Sequence, residues 1–258
     1  MKNTAARVII TILSLVTIAA ILVGLYIHVL GKKFKFMGNI GGMGTTSDEV
    51  SFEDIPDEIF FDVDAAKIHV EEGDELSLNY SLPEAAKPDI EMKNGKLTVK
   101  SKISGPLTPF GMGKDFDIEL TVPKGSSFKT LSIDQKAGDI SVESLNMGKI
   151  LIRADAGDIK LDEIKVNEVE IEVDAGNISI SDLETGKAVV EADAGNLEIS
   201  DSKISDIKAK IDAGNIEAHD STIGSGSCKT DFGNVELNGN IGSVSVKSSV
   251  GNATINGR

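Results

Sequence analysis

Apolar and polar residues alternate along the second half of the chain, and the alternating segments recur with a 19-residue period. In one such unit, single polar residues separate Val169, Ile171 and Val173, and the same alternation resumes at Ile178 and Ile180. A period of two is typical of β-strands that bury one face. Because such a unit is too short for two helices, the pattern predicts two or three short strands per unit.

A glycine marks the same position in each unit and is followed by Asp or Asn and then by an aliphatic residue. These glycines keep the 19-residue spacing throughout and are Gly138, Gly157, Gly176, Gly195, Gly214 and Gly233. A constant spacing without insertions indicates identical units that stack on one another. We therefore predict an all-β fold, a single-stranded β-solenoid of 19-residue coils. The glycines would form a structural corner between strands, where positive φ angles are needed.

An aspartate two positions before the glycine recurs with the same spacing. The set comprises Asp155, Asp174, Asp193, Asp212 and Asp231. Stacked coils would bring these side chains into one row. We predict that their carboxylates accept hydrogen bonds from the N–H groups of the corner. The alternative is a row of Ca²⁺ sites, because a cation bridging adjacent coils would relieve the repulsion between carboxylates.

A different pattern precedes the strands. Residues 8–30 form an uncharged apolar run that is long enough for a transmembrane helix. The run lacks the small-residue cleavage site that ends a signal peptide, so we expect a single-pass anchor that is retained. Lys2 and Arg7 precede the run, and Lys32, Lys33 and Lys35 follow it. The positive-inside rule is therefore nearly balanced and leaves the orientation open.

These patterns divide the chain into four parts. We predict a short basic N-terminus over 1–7, the transmembrane helix over 8–30, a glycine-rich tether over 31–50 and the β-solenoid over 51–258. Within the solenoid, irregular coils occupy 51–135 and the regular coils occupy 136–258. Asn94 and Gly95 separate two strand-like segments of the irregular part and predict a β-hairpin there.

Composition narrows the function classes. The net charge is −15, which disfavours binding to a nucleic-acid backbone. The chain has one cysteine, Cys228, so it can form neither an internal disulfide framework nor a thiolate zinc site. Cys228 shares its position in the repeat with Ile152 and Ile171, and we expect it to be buried and unreactive.

Several segments resemble a known family. They are Ile68-x-Val70 followed by Glu72-Gly-Asp74, Leu76-x-Leu78-x-Tyr80, Gly95-Lys-Leu97-x-Val99, Ile118-x-Leu120-x-Val122-Pro123 and the repeated A-G-[DN]-I motif. Over about residues 55–257 the chain is similar to the bacterial "putative adhesin" domain family, membrane-anchored β-solenoids that include LiaG-like cell-envelope proteins. The resemblance implies an envelope location and a role in adhesion or in sensing antimicrobial-peptide damage, and it supplies no catalytic residues.

We therefore predict a cell-surface interaction protein without catalytic residues or cofactors. Its partners would be the membrane, through the N-terminal helix, and a protein, glycan or cell-wall component, with no nucleic acid. The solenoid would lie outside the cell. One alternative is a cytoplasmic-facing regulatory domain, which the basic cluster after the apolar run favours. Another is a carbohydrate-active β-solenoid enzyme, although the 19-residue spacing leaves no room for the loops that form catalytic clefts.

Overall fold

The computed structural model of the protein describes residues 45–103 and 116–257, which form one continuous sheet of 19 strands. A single 3-10 turn, Glu84–Ala86, interrupts the strands within these ranges. The strands are β1 (Thr45–Ser51), β2 (Glu58–Ala65), β3 (Lys67–Gly73), β4 (Ser77–Pro83), β5 (Asp89–Lys93), β6 (Lys96–Ser101), β7 (Asp117–Pro123), β8 (Ser127–Ala137), β9 (Ile140–Glu143), β10 (Asn146–Ala156), β11 (Ile159–Asp162), β12 (Lys165–Ala175), β13 (Ile178–Ser181), β14 (Glu184–Ala194), β15 (Leu197–Ser200), β16 (Lys203–Ala213), β17 (Ile216–Phe232), β18 (Val235–Val250) and β19 (Ala253–Gly257).

The regular coils each contain an 11-residue strand, here called the long strand, followed by a four-residue short strand. Equivalent strands of successive coils pair in parallel, and the paired positions keep the 19-residue spacing of the sequence repeat as far as Ala218. A register shift between Ala218 and Ser221 reduces the spacing to 18 residues in the last coil. Ile171 thus lies between Ile152 and Val190, and Ile178 lies between Ile159 and Leu197. β17 and β18 continue around a corner, so each supplies a short strand and the next long strand. The predicted all-β solenoid of 19-residue coils is confirmed.

The N-terminal coils stack out of chain order. The coil formed by β2 and β3 pairs on one side with β8 and β9, and on the other side with β6 and β7. Phe61 therefore lies between Val99 and Ile133. Fixed spacing along the sequence could not predict this arrangement, because neighbouring coils there are not consecutive in the chain.

Antiparallel strands cover the N-terminal end of the stack. β5 pairs with β6 through the predicted hairpin, whose turn residues Asn94 and Gly95 have φ angles of 51° and 74°. β4 pairs with β7, and β1 pairs with β4. Residues 45–50, assigned above to the tether, lie within β1. This part of the predicted tether is thus a strand of the cap.

Inward-facing side chains stack in rows along the interior. Ile159, Ile178, Leu197 and Ile216 form one such row, and each is almost completely buried. Cys228 is fully buried in a neighbouring row, as predicted. Burial raises the pKa of its thiol to about 12 and keeps it in the unreactive protonated form.

A second corner lies between each short strand and the next long strand, and its backbone conformation was not predicted from the sequence. Here a residue other than glycine adopts the left-handed conformation, with φ between 49° and 55°: Ser144, Glu163, Asp182, Asp201 and Asp220. The N–H of Asp182 donates to the carbonyl of Ser200 in the next coil at 3.2 Å. Aspartate tolerates this conformation better than most residues, which explains its frequency at this corner.

The predicted transmembrane helix over 8–30 and the predicted tether over 31–44 lie outside the described residues. Among the described residues, no helix is long and apolar enough to cross a membrane.

Candidate functional site

The glycine corner packs backbone against backbone. Gly157 lies between β10 and β11 with φ +141°, and a Cβ atom at this position would lie 1.9 Å from the carbonyl oxygen of Gly138. At Gly195 the corresponding distance, to the oxygen of Gly176, is 1.8 Å. All six glycines of the predicted corner lie between a long strand and the following short strand. Glycine is therefore required by close approach between coils as well as by its φ angle.

A row of side chains directly after the glycines links the coils. Its members are Asp139, Asp158, Asn177, Asn196, Asn215, Asn234 and Asn252, here called the Asx row. The side-chain oxygen of each member before Asn252 accepts a hydrogen bond from the backbone N–H of the next member. Asn196 donates to Asn177 at 3.2 Å, for example, and Asn215 donates to Asn196 at 2.9 Å. The side-chain amide of Asn196 also donates to the side-chain oxygen of Asn177. The Asx row thus satisfies the N–H groups that the solenoid corner leaves open.

The acidic row two positions before the glycines does not have the predicted role. Asp155, Asp174, Asp193 and Asp231 are exposed, and Asp212 is half-buried. Within the described ranges their carboxylates contact side chains only: Lys210 lies 2.5 Å from Asp212, and Ser249 lies 3.3 Å from Asp231. These aspartates occupy outward positions at strand ends, whereas the corner N–H groups face the Asx row of the preceding coil. The sequence signal for the correct residue was the Asp or Asn of the G-[DN]-I motif.

The alternative role of the acidic row, Ca²⁺ binding, would require a cluster of ligands, and the described part of the chain contains none. No group of three or more His, Cys, Asp or Glu side chains gathers there at distances suited to a metal ion. Ca²⁺ takes six to eight oxygen ligands, and a single row of exposed carboxylates brings at most neighbouring pairs together. The acidic row and the Lys210 ammonium instead form a solvated charged surface.

A groove runs along a third corner of the solenoid, which lies near the N-terminal end of each long strand. The pairing between coils skips the third residue of each long strand, and the buried residues on either side of it are three positions apart, as Val166 and Val169 are. We infer a bend in the strand at this point. The groove crosses the coils of β10, β12, β14, β16 and β17 and has a volume of about 650 Å³. At ~4.8 Å per coil, it extends for roughly 19 Å along the solenoid axis.

The residues that line the groove repeat from coil to coil. An outward polar residue comes first, a buried residue second and a small residue third. The three sets are Asn146, Lys165, Glu184, Lys203 and Thr222; then Met147, Val166, Thr185 and Ile204; and then Asn167, Gly186, Ser205 and Gly224. Small side chains at the bend leave the groove open, and this corner was not distinguished in the sequence because its residues vary from coil to coil.

Charges alternate along both sides of the bend. On one side Lys165 lies 3.7 Å from Glu184, with Lys203 in the next coil. On the other side of the bend, beyond the residues that line the groove, Glu168 lies 2.9 Å from Lys187 and 3.3 Å from Lys149. Hydrogen bonds from these two lysines lower the pKa of Glu168. The groove therefore offers both donors and acceptors at regular intervals, an arrangement suited to an extended chain with repeating polar groups.

The groove does not hold a pair of carboxylates of the kind that glycoside hydrolysis requires. Glu184 is the single carboxylate among the described residues that line it. Retaining and inverting glycosidases both place two carboxyl groups about 5–10 Å apart on either side of the scissile bond. The described lining of the groove therefore lacks the carboxylate pair of this reaction.

A second depression, of about 500 Å³, lies on the short-strand side near the N-terminal coils. There His69 and Ser141 are neighbours on paired strands, the one place in this depression where a serine adjoins a histidine. The hydroxyl of Ser141, however, donates to Glu143 at 2.8 Å, and the ring of His69 contacts Glu71 at 3.0 Å. In a Ser–His pair the histidine accepts the proton of the serine hydroxyl. Here the hydroxyl of Ser141 donates to Glu143, so His69 and Ser141 do not form such a pair.

The fold defines a class of protein, the β-solenoids, whose stacked coils present long, regular outer surfaces. Within that class, the chain belongs to the Toastrack DUF4097 family, whose model matches residues 56–256. The resemblance inferred from the sequence motifs is thereby confirmed. No curated protein is significantly similar to the chain.

Several solved structures are similar to the chain, among them the following two. A protein described as a "putative adhesin" from Bacteroides fragilis is 16% identical, with a TM-score of 0.61, and the match covers 83% of this chain and 98% of that one. A "putative adhesin" from Parabacteroides distasonis is 18% identical, with a TM-score of 0.53 and coverage of 84% and 98%. At these identities the likeness establishes a common fold. The names given to both proteins describe binding rather than catalysis.

Proposed function

We propose that the protein is a non-catalytic binding module of the cell envelope. Residues 8–30 anchor it in the membrane, and the solenoid faces the outside of the cell. The length and apolarity of residues 8–30 support the anchor. The descriptions of the structural neighbours as adhesins support an exposed binding role.

The observation that carries this proposal is the groove across five coils. It has small residues at the bend, and Lys165, Glu184 and Lys203 alternate in charge along one side. A groove of this form holds an extended polymer through many weak contacts of the same kind. We propose a cell-wall glycan strand as its ligand, because hydroxyl and amide groups of a glycan can both donate to Glu184 and accept from Lys165 and Lys203.

Location is tested by proteolysis of whole cells. Spheroplasts that express the chain with a C-terminal epitope are treated with protease, and a cytoplasmic protein serves as the control for membrane integrity. We expect the solenoid to be digested while the control stays intact. Protection of the solenoid until the cells are lysed would instead favour the alternative, a regulatory domain that faces the cytoplasm.

Binding is tested by co-sedimentation of the purified protein with insoluble cell-wall sacculi. The double variant Asn167→Arg and Ser205→Arg places long side chains in the groove at exposed positions. The control variant, Ser179→Arg, carries the same type of side chain at an exposed position on a short strand. We expect the groove variant to bind about tenfold more weakly, equivalent to ~1.4 kcal/mol, and the control to bind normally. Equal binding by all three proteins would exclude the groove as the site.

A further inference from the structure

The two ends of the solenoid differ in how their sheet edges are covered. At the N-terminal end, β5 covers β6, while β4 and β1 extend the sheet beyond β7. At the C-terminal end, the final coil consists of the second half of β18 followed by β19. Within the described part of the chain, each of these segments pairs with the preceding coil only. Their outer backbone N–H and C=O groups therefore form an open edge.

Apolar side chains are exposed at the same end. Among the described residues, the large hydrophobic side chains that are exposed are Phe232 (64%), Val250 (60%), Ile255 (39%) and, at the opposite end, Ile55 (48%). Phe232 and Val250 are partners on paired strands and form a continuous patch. They occupy the position that is alanine in the preceding coils, at Ala156, Ala175, Ala194 and Ala213.

Interior positions of the last coil are also incompletely covered. Ile241 and Val246 are half-buried. Their counterparts one coil earlier, Ile223 and Cys228, are fully buried. The end of the hydrophobic core thus reaches the surface beside the open strand edge.

Charge distinguishes this end from the rest of the molecule. From Leu237 to Gly257, Lys247 is the single charged residue, although the whole chain carries a net charge of −15. Free edge strands of monomeric proteins are usually protected by several charged residues, proline or a covering element. The N-terminal edge strands fit that rule, because β1 contains Asp48 and Glu49, and β5 contains Asp89 and Glu91. The C-terminal edge has little such protection.

We propose that the C-terminal coil, residues 240–257, is a self-association surface through which two copies of the chain pair end to end. A two-fold axis would place this end, which carries few charges, on the same end of the other copy and keep the acidic flanks apart. Each open edge would gain an antiparallel partner, and the incompletely covered interior residues of the last coil, Ile241, Val246 and Ile255, would be buried. The Phe232–Val250 pair would lie at the rim of the contact. A dimer with this symmetry is closed and does not grow further.

The test is sedimentation velocity of the full chain in mild detergent over a range of concentrations. The end variant combines Val250→Lys and Ile255→Lys. The control combines Ala175→Lys and Ser179→Lys, which add the same charges at exposed positions on a middle coil. We expect the wild type and the control to dimerise, and the end variant to have a dissociation constant raised at least about tenfold.

Circular dichroism and thermal unfolding show whether the end variant keeps its fold. If it does not, the milder pair Val250→Ser and Ile255→Ser replaces it and is expected to weaken the dimer in the same direction. A wild type that is monomeric at all concentrations would overturn the proposal, as would a dimer that persists in a folded end variant. Open-ended polymers would indicate head-to-tail contact and would overturn it as well. Sacculus binding is measured separately on the same variants, so failure of the groove proposal is distinguishable.

Discussion

The backbone N–H of Asn196 donates to the side-chain oxygen of Asn177, at the equivalent position of the preceding coil, at 3.2 Å. This contact repeats at each coil along the Asx row and joins the glycine corners of adjacent coils. Each Asx side chain therefore serves two coils, since it belongs to one corner and satisfies the N–H group of the next.

Replacement of Asn196 by alanine tests the energetic role of the Asx row. The variant leaves the N–H of Asn215 without its 2.9 Å acceptor and removes the side-chain contact with Asn177. We expect the free energy of unfolding to fall by about 1 kcal/mol, as for a lost helix cap. Asn196→Asp keeps an acceptor and should lose less. Urea unfolding of the purified proteins measures both values.

Asp193→Ala is the matched control, because Asp193 lies in the same coil but is exposed and outside the Asx row. Its stability is expected to stay within ~0.5 kcal/mol of the wild type. If Asp193→Ala were as destabilising as Asn196→Ala, the acidic row would have a structural role after all.

The glycines separate into two groups that alanine substitution distinguishes. At Gly195, φ is +143° and a Cβ atom would lie 1.8 Å from the carbonyl oxygen of Gly176. At Gly186, in the groove, the nearest atom to a Cβ would be the carbonyl oxygen of Asn167 at 3.1 Å, which a small shift relieves. We expect Gly195→Ala to cost at least about 3 kcal/mol and Gly186→Ala about 1 kcal/mol or less. Thermal unfolding measures both losses of stability, and equal losses for the two variants would contradict this expectation.

The coil length, the strand layer and the inward rows were all predictable, because a solenoid repeats its sequence pattern wherever it repeats its structure. Ile178 and Cys228 are buried as their positions in the repeat require. The stacking of β2 between β6 and β8 was not predictable, since these strands show no common spacing along the chain. The hydrogen bonds to the corner N–H groups were assigned to the acidic row and not to the Asx row. Asp193 and Asn196 both lie close to Gly195 in the chain, and sequence alone cannot show which side chain faces the next coil.

The groove and the exposed apolar pair Phe232 and Val250 escaped prediction for a different reason. Both depend on what lies beside a residue in space. Asn167 and Gly186 have little in common as side chains, and only stacking shows that they occupy the same bend. Val250 looks like one more member of an alternating strand, and only its pairing with Phe232, itself paired with Ala213, shows that it lies at an outward position of the long strand.

The second corner predicts a stabilising substitution. Glu163 has a φ angle of 55°, a conformation that costs a residue with a Cβ atom roughly 1–2 kcal/mol. Glycine removes that cost but adds chain entropy to the unfolded state. We therefore expect Glu163→Gly to raise the free energy of unfolding by about 0.5 kcal/mol. The hydrogen bond from Ser144 to Glu163 is exposed and contributes little. Asp182→Gly should gain less, because aspartate tolerates this φ better.

The comparison of these two variants by urea unfolding checks the explanation. A loss of stability in Glu163→Gly greater than ~1 kcal/mol would show that the left-handed conformation carries no strain at this corner.

Asp64 predicts how stability depends on pH. Its carboxylate is 10% exposed and lies 2.9 Å from the Lys136 ammonium. It also accepts a hydrogen bond from the N–H of Ile103 at 2.8 Å. Burial alone would raise the pKa of Asp64, but the hydrogen bonds from Lys136, Ile103 and Lys102 outweigh it and lower the pKa. Protonation therefore costs more free energy in the folded state than in the unfolded state.

A lowered pKa in the folded state gives stability that is fully present above the unfolded pKa of about 3.9 and is lost as pH falls through the folded value. We expect Asp64→Asn to be less stable than the wild type at pH 7 by roughly 1–3 kcal/mol, the range for hydrogen bonds to a charged group. The difference should shrink steadily below about pH 4, where the wild-type carboxylate becomes protonated.

Asp193→Asn makes the same charge change at an exposed position. Urea unfolding at a series of pH values, with this control, measures the effect. A stability gap for Asp64→Asn that stayed constant down to about pH 2 would mean that the Lys136 contact does not favour the ionised form.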